Sequence, residues 1–407
     1  MATGMSTEPR VSRRIGREGG FSLLETLIAT SLMLGVIASV FSMVNPSQGL
    51  FATEPEVSDM QQRLRVGADT LARDLVMAGA GSYAGTQAGS LLYYFPPILP
   101  FRQGATNDDA AGTFRTDRIT ILSVPSTTGQ TTLTTALGPG QTLLKVASES
   151  DCPGGMSLCG FQDGETILVF DDTGNYDTFT LSGVNDAGGQ VTITSRPADS
   201  TDTTYPIGSK VVEVKNHVYY LKADPVRQLY QLMHYDGTSN ADVPLVDHVV
   251  GLKFDYYGEP QPPTMRNALS DPSVPGTSYG PKPSAIASPP FGVGENCVFV
   301  SDGSPTPAPR LPTLGTGAPT LVQLTSAQLT DGPWCPNDTN ANRWDADLLR
   351  LRTVAVTLRV EAAADALRGP AGVLFTNGGT SRAANRWAPD LEMRFQASPR
   401  NLQRERE

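Results

Sequence analysis

One long apolar stretch near the N-terminus constrains this chain more than any other feature. From Phe21 to Val44 the sequence carries a single charge, Glu25, and roughly 20 apolar residues are enough for a helix to cross a bilayer. Four arginines precede the stretch (Arg10, Arg13, Arg14 and Arg17), and a basic flank favours the cytoplasmic side. The sequence therefore predicts a single-pass inner-membrane protein whose C-terminal body lies in the periplasm.

Glu25 is the unexpected residue within this stretch. A carboxylate at the centre of a membrane span costs about 2.5–3.5 kcal/mol even on insertion scales. A single-span helix is expected to offer Glu25 no partner of its own. We therefore expect its partner to come from another chain or from a newly made terminus. The alternative is a plain signal anchor with a chance glutamate.

The residues around Glu25 resemble a known processing site. The segment Gly19-Gly20-Phe21-Ser22-Leu23-Leu24-Glu25 is similar to that of type IV prepilins and type II secretion pseudopilins. The resemblance implies that prepilin peptidase cuts between Gly20 and Phe21 and that Phe21 is then N-methylated. It also implies that Glu25 forms an ion pair with the terminal amine of a neighbouring subunit. Residues 1–20 would then be a cytoplasmic leader peptide.

A second helical segment is predicted after the span. Pro46 removes one backbone donor, so a kink or break is expected there, and Thr53–Glu56 has the pattern of a capping box. Apolar residues then recur three or four apart up to Gly79, which favours an amphipathic helix over residues 54–79; they are Val57, Met60, Leu64, Ala68, Leu71, Leu75 and Ala78. Residues 61–81 resemble the corresponding segment of PilW-type minor pilins, which ends in Met-Ala-Gly.

The rest of the chain has the pattern of short strands. Gly 40 and Pro 32 make it rich in turns, and from about residue 113 the apolar period becomes two. The predicted strands are Arg118–Val124, Thr142–Val146, Thr166–Asp171, Asp177–Ser182, Gln190–Thr194, Lys210–Leu221, Gln228–His234, Val246–Tyr257, Leu349–Glu361 and Leu391–Gln396. Hairpin turns are predicted at Asp171–Asn175 and Asn185–Gly189. We expect an additional β-module over about 113–208.

The later strands are similar to the closing sheet of the same family. The resemblance lies in residues 249–257, 352–360 and 400–402. The expected organisation is a leader (1–20), an N-terminal helix (21–80, with 21–44 transmembrane), a β-rich domain (81–257), a Pro/Gly-rich insertion (258–346) and closing strands (347–407). We expect the insertion to be partly disordered. The resemblance implies a pilin-like α+β fold in which the long helix packs on antiparallel sheet.

Four cysteines lie beyond the span: Cys152, Cys159, Cys297 and Cys335. In an oxidising periplasm they favour two disulfides over a zinc site, since no CxxC pair or nearby histidine supports zinc. Three connectivities are possible. Cys152–Cys159 would be local, and Cys297–Cys335 would hold the insertion.

Other chemistry is weakly indicated. The acidic run Asp163, Asp171, Asp172, Asn175 and Asp177 gives weak calcium candidates without EF-hand spacing, and turns commonly use the same residues. The histidines (His217, His234 and His248) lie in predicted strands or at their edges, without a nucleophile motif, so no enzyme activity, metal or cofactor is expected. The net charge of −10 argues against nucleic acid as a partner.

The resemblance implies a PilW-like minor pilin of a type IV pilus. Its expected partners are prepilin peptidase, the other minor pilins, the major pilin and, before assembly, the inner membrane. Because the body is bulky, we expect a low-copy subunit in the assembly-priming or tip complex. One alternative is a pseudopilin of type II secretion, similar to its J subunit, which shares the N-terminal chemistry. The other is a membrane-tethered periplasmic enzyme, which would need a catalytic constellation in the β-body.

Overall fold

The computed structural model describes most of the chain beyond residue 19. The described residues are 20–80, 91–101, 114–125, 129–149, 152, 154–194, 203–224, 226, 229–236, 242–267, 275–315, 320–340, 342–364, 367–368, 388 and 390–402, with the backbone alone for 44–53, 114–116, 267 and 275. The chain divides into two compact units, Met1–Pro55 and Glu56–Glu407.

A single helix, α1 (Leu23–Met77), contributes to both units. It continues through residue 46, so Pro46 does not end it, and residues 53–56 lie in its interior rather than at a second helix start. The prediction of a break is therefore wrong. One proline removes a single hydrogen bond, and helices often continue past it with a bend. A kink at Pro46 is a change in the direction of the helix axis, and it stays a prediction.

The second half of α1 buries the predicted apolar face. Met60, Leu71 and Leu75 are fully buried, and Val57 is partly buried against the same core. Gly67 lies where the helix approaches the sheet closely: a Cβ there would come within 2.8 Å of the Leu358 side chain. The helix ends as predicted, with Gly79 in the left-handed conformation (φ +67°), which glycine adopts without strain.

Leu71→Ala is expected to lower the free energy of unfolding by about 2–5 kcal/mol, because it leaves a cavity in a close-packed core. Val66→Ala is the matched control, since Val66 lies on the same helix but is 50 % exposed. Its effect is expected to stay within about 0.5 kcal/mol. Urea unfolding of both variants in detergent measures the difference. Equal effects would contradict the assigned helix face.

The strands follow α1 in chain order. They are β1 (Ile98–Leu99), β2 (Phe114–Ser123), β3 (Gln130–Thr132), β4 (Leu143–Lys145), β5 (Thr166–Phe170), β6 (Tyr176–Asn185), β7 (Gln190–Ile193), β8 (Lys210–Glu213), β9 (Lys215–Asp224), β10 (Leu229–Tyr235), β11 (Val243–Asp247), β12 (Val249–Gly258), β13 (Met265–Asn267), β14 (Pro275–Thr277), β15 (Phe299–Val300), β16 (Ala308–Pro309), β17 (Val322–Leu324), β18 (Trp334–Cys335), β19 (Trp344–Asp345), β20 (Leu351–Val360) and β21 (Leu391–Ala397). Short 3₁₀ helices lie at Leu91–Tyr93, Asp186–Gly188, Ala346–Arg350 and Arg400–Leu402.

Two antiparallel sheets form the main body. One has the order β1-β2-β9-β10-β11 and the other β17-β12-β20-β21. The chain passes from the first to the second at His248, which separates β11 from β12 and has a positive φ of 59°. The predicted strand Val246–Tyr257 is therefore two strands in two sheets. Side chains from both sheets and from α1 share one hydrophobic core.

A third, six-stranded sheet closes on itself. Its order is β3-β8-β5-β6-β7-β4, and a bridge between Leu133 and Val146 joins its two outer strands. The hydrogen bonds Thr134 N to Lys145 O and Ala147 N to Thr132 O, both 2.9 Å, complete the seam. The result is a small antiparallel β-barrel, closed so that these two outer strands pair with each other.

The barrel explains why β5 is buried along its whole length. Ile167 and Val169 belong to the barrel's own core, whereas Leu168 and Phe170 belong to the main core. The barrel spans residues 130–213 rather than the predicted 113–208, because β2 pairs with β9 in the main sheet. The predicted strand Lys210–Leu221 likewise divides into β8 in the barrel and β9 outside it. Both predicted hairpin turns are confirmed, since each joins paired strands.

The described part of the 258–346 insertion is folded. Tyr279, Phe299 and Trp344 are buried in the main core, and β17 pairs with β12 at the edge of its sheet. A disulfide joins Cys297 to Cys335, and a second joins Cys152 to Cys159. The expectation of partial disorder stays a prediction for residues 268–274, 316–319 and 341, which lie outside the described residues. Together, the helix and the antiparallel sheets make an α+β protein that is mostly β.

Candidate functional site: the helix start at residues 20–25

Ser22 and Glu25 form a capping box at the start of α1. The Ser22 backbone N–H donates to Glu25 Oε2 at 3.1 Å, and the Glu25 backbone N–H donates to Ser22 Oγ at 3.2 Å. The Thr26 N–H donates to the Ser22 carbonyl at 3.1 Å, which makes Ser22 the N-cap. Two N–H groups that an isolated helix start leaves unpaired are thus satisfied.

This arrangement corrects one prediction about Glu25. Its carboxylate does have a partner within its own helix, the Ser22 N–H. That partner is a neutral dipole, so the negative charge itself is not neutralised by it. The role of Ser22 was missed, although Ser-x-x-Glu before an apolar run is the sequence signature of a capping box.

The hydroxyl side chains of the apolar stretch are also satisfied inside the helix. Thr26 Oγ1 donates to the Leu23 carbonyl, and Thr30 Oγ1 and Ser31 Oγ donate to the Leu27 carbonyl. Ser39 and Ser42 donate in the same way to carbonyls one turn earlier. Unpaired polar groups are costly in hydrocarbon, so this pairing suits a lipid environment.

The stretch is long and apolar enough to span a membrane. Among the described residues, one helical segment passes this test, Leu23–Met43, with a mean hydropathy of 1.9 and no burial. Phe21 is 85 % exposed, Leu23 82 % and Phe41 65 %. Apolar exposure on this scale marks a surface that a membrane or a partner covers.

The acidic turn residues bind the protein's own groups. Asp171 accepts from the backbone and side chains of Thr173 and Asn175. Asp172 pairs with Lys210, and Asp177 accepts from Tyr205 and Asn342. These contacts give the residues of the run roles in turns and hydrogen-bond networks, and the calcium hypothesis stays a prediction. Asp163, the other member of the run, lies in a separate turn between residues 161 and 166.

Two of the three histidines lie together. His217 Nδ1 is 2.9 Å from His234 Nε2 and 3.4 Å from Asp74 Oδ2. Burial lowers the pKa of both imidazoles below the ordinary value, which keeps them neutral at pH 7. His248 lies elsewhere, with Arg368 Nη2 3.2 Å from its Nδ1. Sequence reasoning placed these side chains on strands but did not bring any of them together.

Neither the family models nor the curated proteins with which the chain was compared give a match.

Proposed function

We propose that this chain is a PilW-like minor pilin of a type IV pilus, cut by prepilin peptidase after Gly20 and methylated on Phe21. The observation that carries the proposal is the geometry of residues 20–25. Gly20 and Phe21 directly precede the N-cap, and Glu25 reaches back to the Ser22 N–H. An exposed apolar helix follows. This arrangement suits a subunit that leaves the membrane for the core of a filament.

Cutting after Gly20 supplies the positive charge that Glu25 lacks. The new Phe21 ammonium is one residue from the N–H that Glu25 already accepts. The helix dipole attracts a carboxylate at the helix N-terminus and repels an ammonium there. A Glu25 carboxylate is therefore poised for an ammonium, either its own or one from a neighbouring subunit. Pairing with the neighbour couples processing to assembly.

The bulk of the periplasmic body supports a low-copy position. The barrel and the folded insertion both add to the helix and sheets of the body. A shaft repeats its subunits closely, whereas a subunit at one end meets no such constraint. We place this chain in the assembly-priming or tip complex, next to other minor pilins and the major pilin.

Gly20→Ala is expected to block processing and leave the leader attached. Gly20 is exposed and nothing lies within 4 Å of the position of an added Cβ, so the substitution should not disturb folding. Gly35→Ala is the matched control, because Gly35 is equally open but lies within the span. Mass spectrometry of protein from a peptidase-positive strain should show N-terminal methyl-phenylalanine for wild type and Gly35→Ala. A retained leader on the wild-type protein would overturn the proposal.

A deletion strain separates the pilus from type II secretion. Loss of pili with normal exoprotein release supports the minor pilin. Retained exoproteins with normal pili would assign the chain to the pseudopilins instead. Neither defect, together with an unprocessed N-terminus, would favour the membrane-tethered enzyme.

A further inference from the structure

We propose that Asp74, His217 and His234 form a binding site for a divalent transition-metal ion of the zinc type. Two imidazoles and one carboxylate are a common protein ligand set for such ions. All three side chains lie in the Glu56–Glu407 unit, so the site is independent of the helix start. It would leave one coordination position for water or another ligand.

The antiparallel register brings the two histidines together. His234 on β10 lies directly opposite Tyr219 on β9. His217 lies two residues before Tyr219 and so projects from the same face of the sheet. Asp74, in the last turns of α1, meets this face, as its contact with His217 shows. The three ligands therefore come from one helix and two neighbouring strands.

Two of the three distances between ligand atoms are close to those of a tetrahedral site. Zinc–ligand bonds of about 2.0–2.1 Å place neighbouring ligand atoms roughly 3.3 Å apart. The distance from His217 Nδ1 to Asp74 Oδ2 is 3.4 Å, and the distance from His217 Nδ1 to His234 Nε2 is 2.9 Å. The three ligand atoms all lie within 4.8 Å of one another. The two histidine nitrogens are about 0.4 Å closer together than a tetrahedral site requires.

Without an ion, the histidines share a proton. Their ring centroids are 5.2 Å apart with 7° between the planes, so the two rings are nearly coplanar and the nitrogens point at each other. An ion between them requires both rings to turn and the shared proton to move to the outer nitrogen of its ring.

The surroundings orient the ligands. The Tyr219 hydroxyl donates to Asp74 Oδ2, and the Tyr219 ring stacks on His234 with centroids 4.6 Å apart. Outer contacts of this kind fix ligand orientation in metal sites. The carboxylates of Asp74 and Asp236 add negative charge near both histidines. His217 is 20 % exposed and Asp74 13 %, so the site is mostly buried but keeps some access to solvent.

The test uses full-length, untagged protein in detergent, stripped with a chelator and titrated with Zn²⁺ by calorimetry at neutral pH. We expect one ion per chain, a visible absorption band of tetrahedral cobalt when Co²⁺ replaces zinc, and a melting temperature that rises with free zinc. His217→Gln and His234→Gln should remove saturable binding. Tyr219→Phe should weaken it by about 10–100-fold.

The control is His248→Asn, which removes the third histidine and keeps a residue tolerant of the left-handed backbone at that position. It should bind zinc as the wild type does. Asp74→Asn keeps the side-chain size and provides a second ligand variant if a histidine variant fails to fold. No saturable binding by the wild type would overturn the proposal. Equal binding by the wild type and both histidine variants would do the same.

Discussion

Glu25→Gln is expected, on the proposed function, to abolish incorporation of the subunit into pili while leaving its membrane level unchanged. Glutamine occupies the same position of a capping box as glutamate, so it keeps an oxygen that can accept from the Ser22 N–H. It lacks the negative charge that a neighbouring terminal ammonium would need. The variant therefore separates helix capping from charge pairing, which replacement by valine does not.

Glu25→Val completes the comparison. It removes both the cap and the charge, and it should insert into the membrane as well as the wild type or better. Ser22→Ala removes only the hydroxyl half of the box and should cost about 0.5–2 kcal/mol of local helix stability. Membrane fractionation and immunoblots of sheared pili give the two readouts. Normal incorporation of Glu25→Gln with failure of Glu25→Val would mean that Glu25 serves as a cap and not as an ion-pair partner.

Arg350→Met is expected to lower the free energy of unfolding by about 3–5 kcal/mol, the usual cost of breaking a buried ion pair from one side. Arg350 is fully buried, and its Nε is 2.5 Å from Asp347 Oδ1. Its guanidinium also donates to the carbonyls of Glu259, Pro260 and Pro312. Arg350, which lies just before β20, thus contacts the insertion both at its start (Glu259 and Pro260) and further along the chain (Pro312).

The control for this variant is Arg394→Met. Arg394 pairs with Glu392 on the surface and is 64 % exposed, so its loss should cost less than about 1 kcal/mol. Denaturant titration followed by tryptophan fluorescence compares the two, because Trp344 is buried in the core that holds the insertion. Similar costs for both variants would show that Arg350 does not hold this segment.

The sequence predicted those helices and turns that are determined by residues close together in the chain. The spacing of Met60, Leu64, Leu71 and Leu75 predicted the buried face of α1, and the turn residues predicted both barrel hairpins. Strand partners were not predictable in this way, because period-two alternation says which residues face a core but not which core. Lys210–Leu221 shows this well, since it is one apolar pattern divided between a barrel and a sheet.

The candidate sites show the same difference between residues that are neighbours in the sequence and residues that meet only in the fold. Gly20, Phe21 and Glu25 were proposed from one short segment that resembles a known processing site, and Ser22 belonged to a recognisable short pattern. The histidine cluster was not found, because Asp74 and His217 are far apart in the chain and meet only through the packing of α1 on β9 and β10. Long-range contacts of buried polar groups leave no local signature.

The closed barrel also has a consequence for the history of the chain. Ser123, the last residue of β2, lies opposite Lys215, the first residue of β9, and the whole barrel is inserted between these two paired positions. In topological terms it occupies the tip of a β-hairpin. A two-residue turn can join paired strand ends of this kind, so an ancestor with a plain hairpin needs no rearrangement of the main sheet. The barrel is nevertheless packed against the main body, because Phe170 and Tyr176 contact Phe95, and excision would expose that aromatic cluster to water.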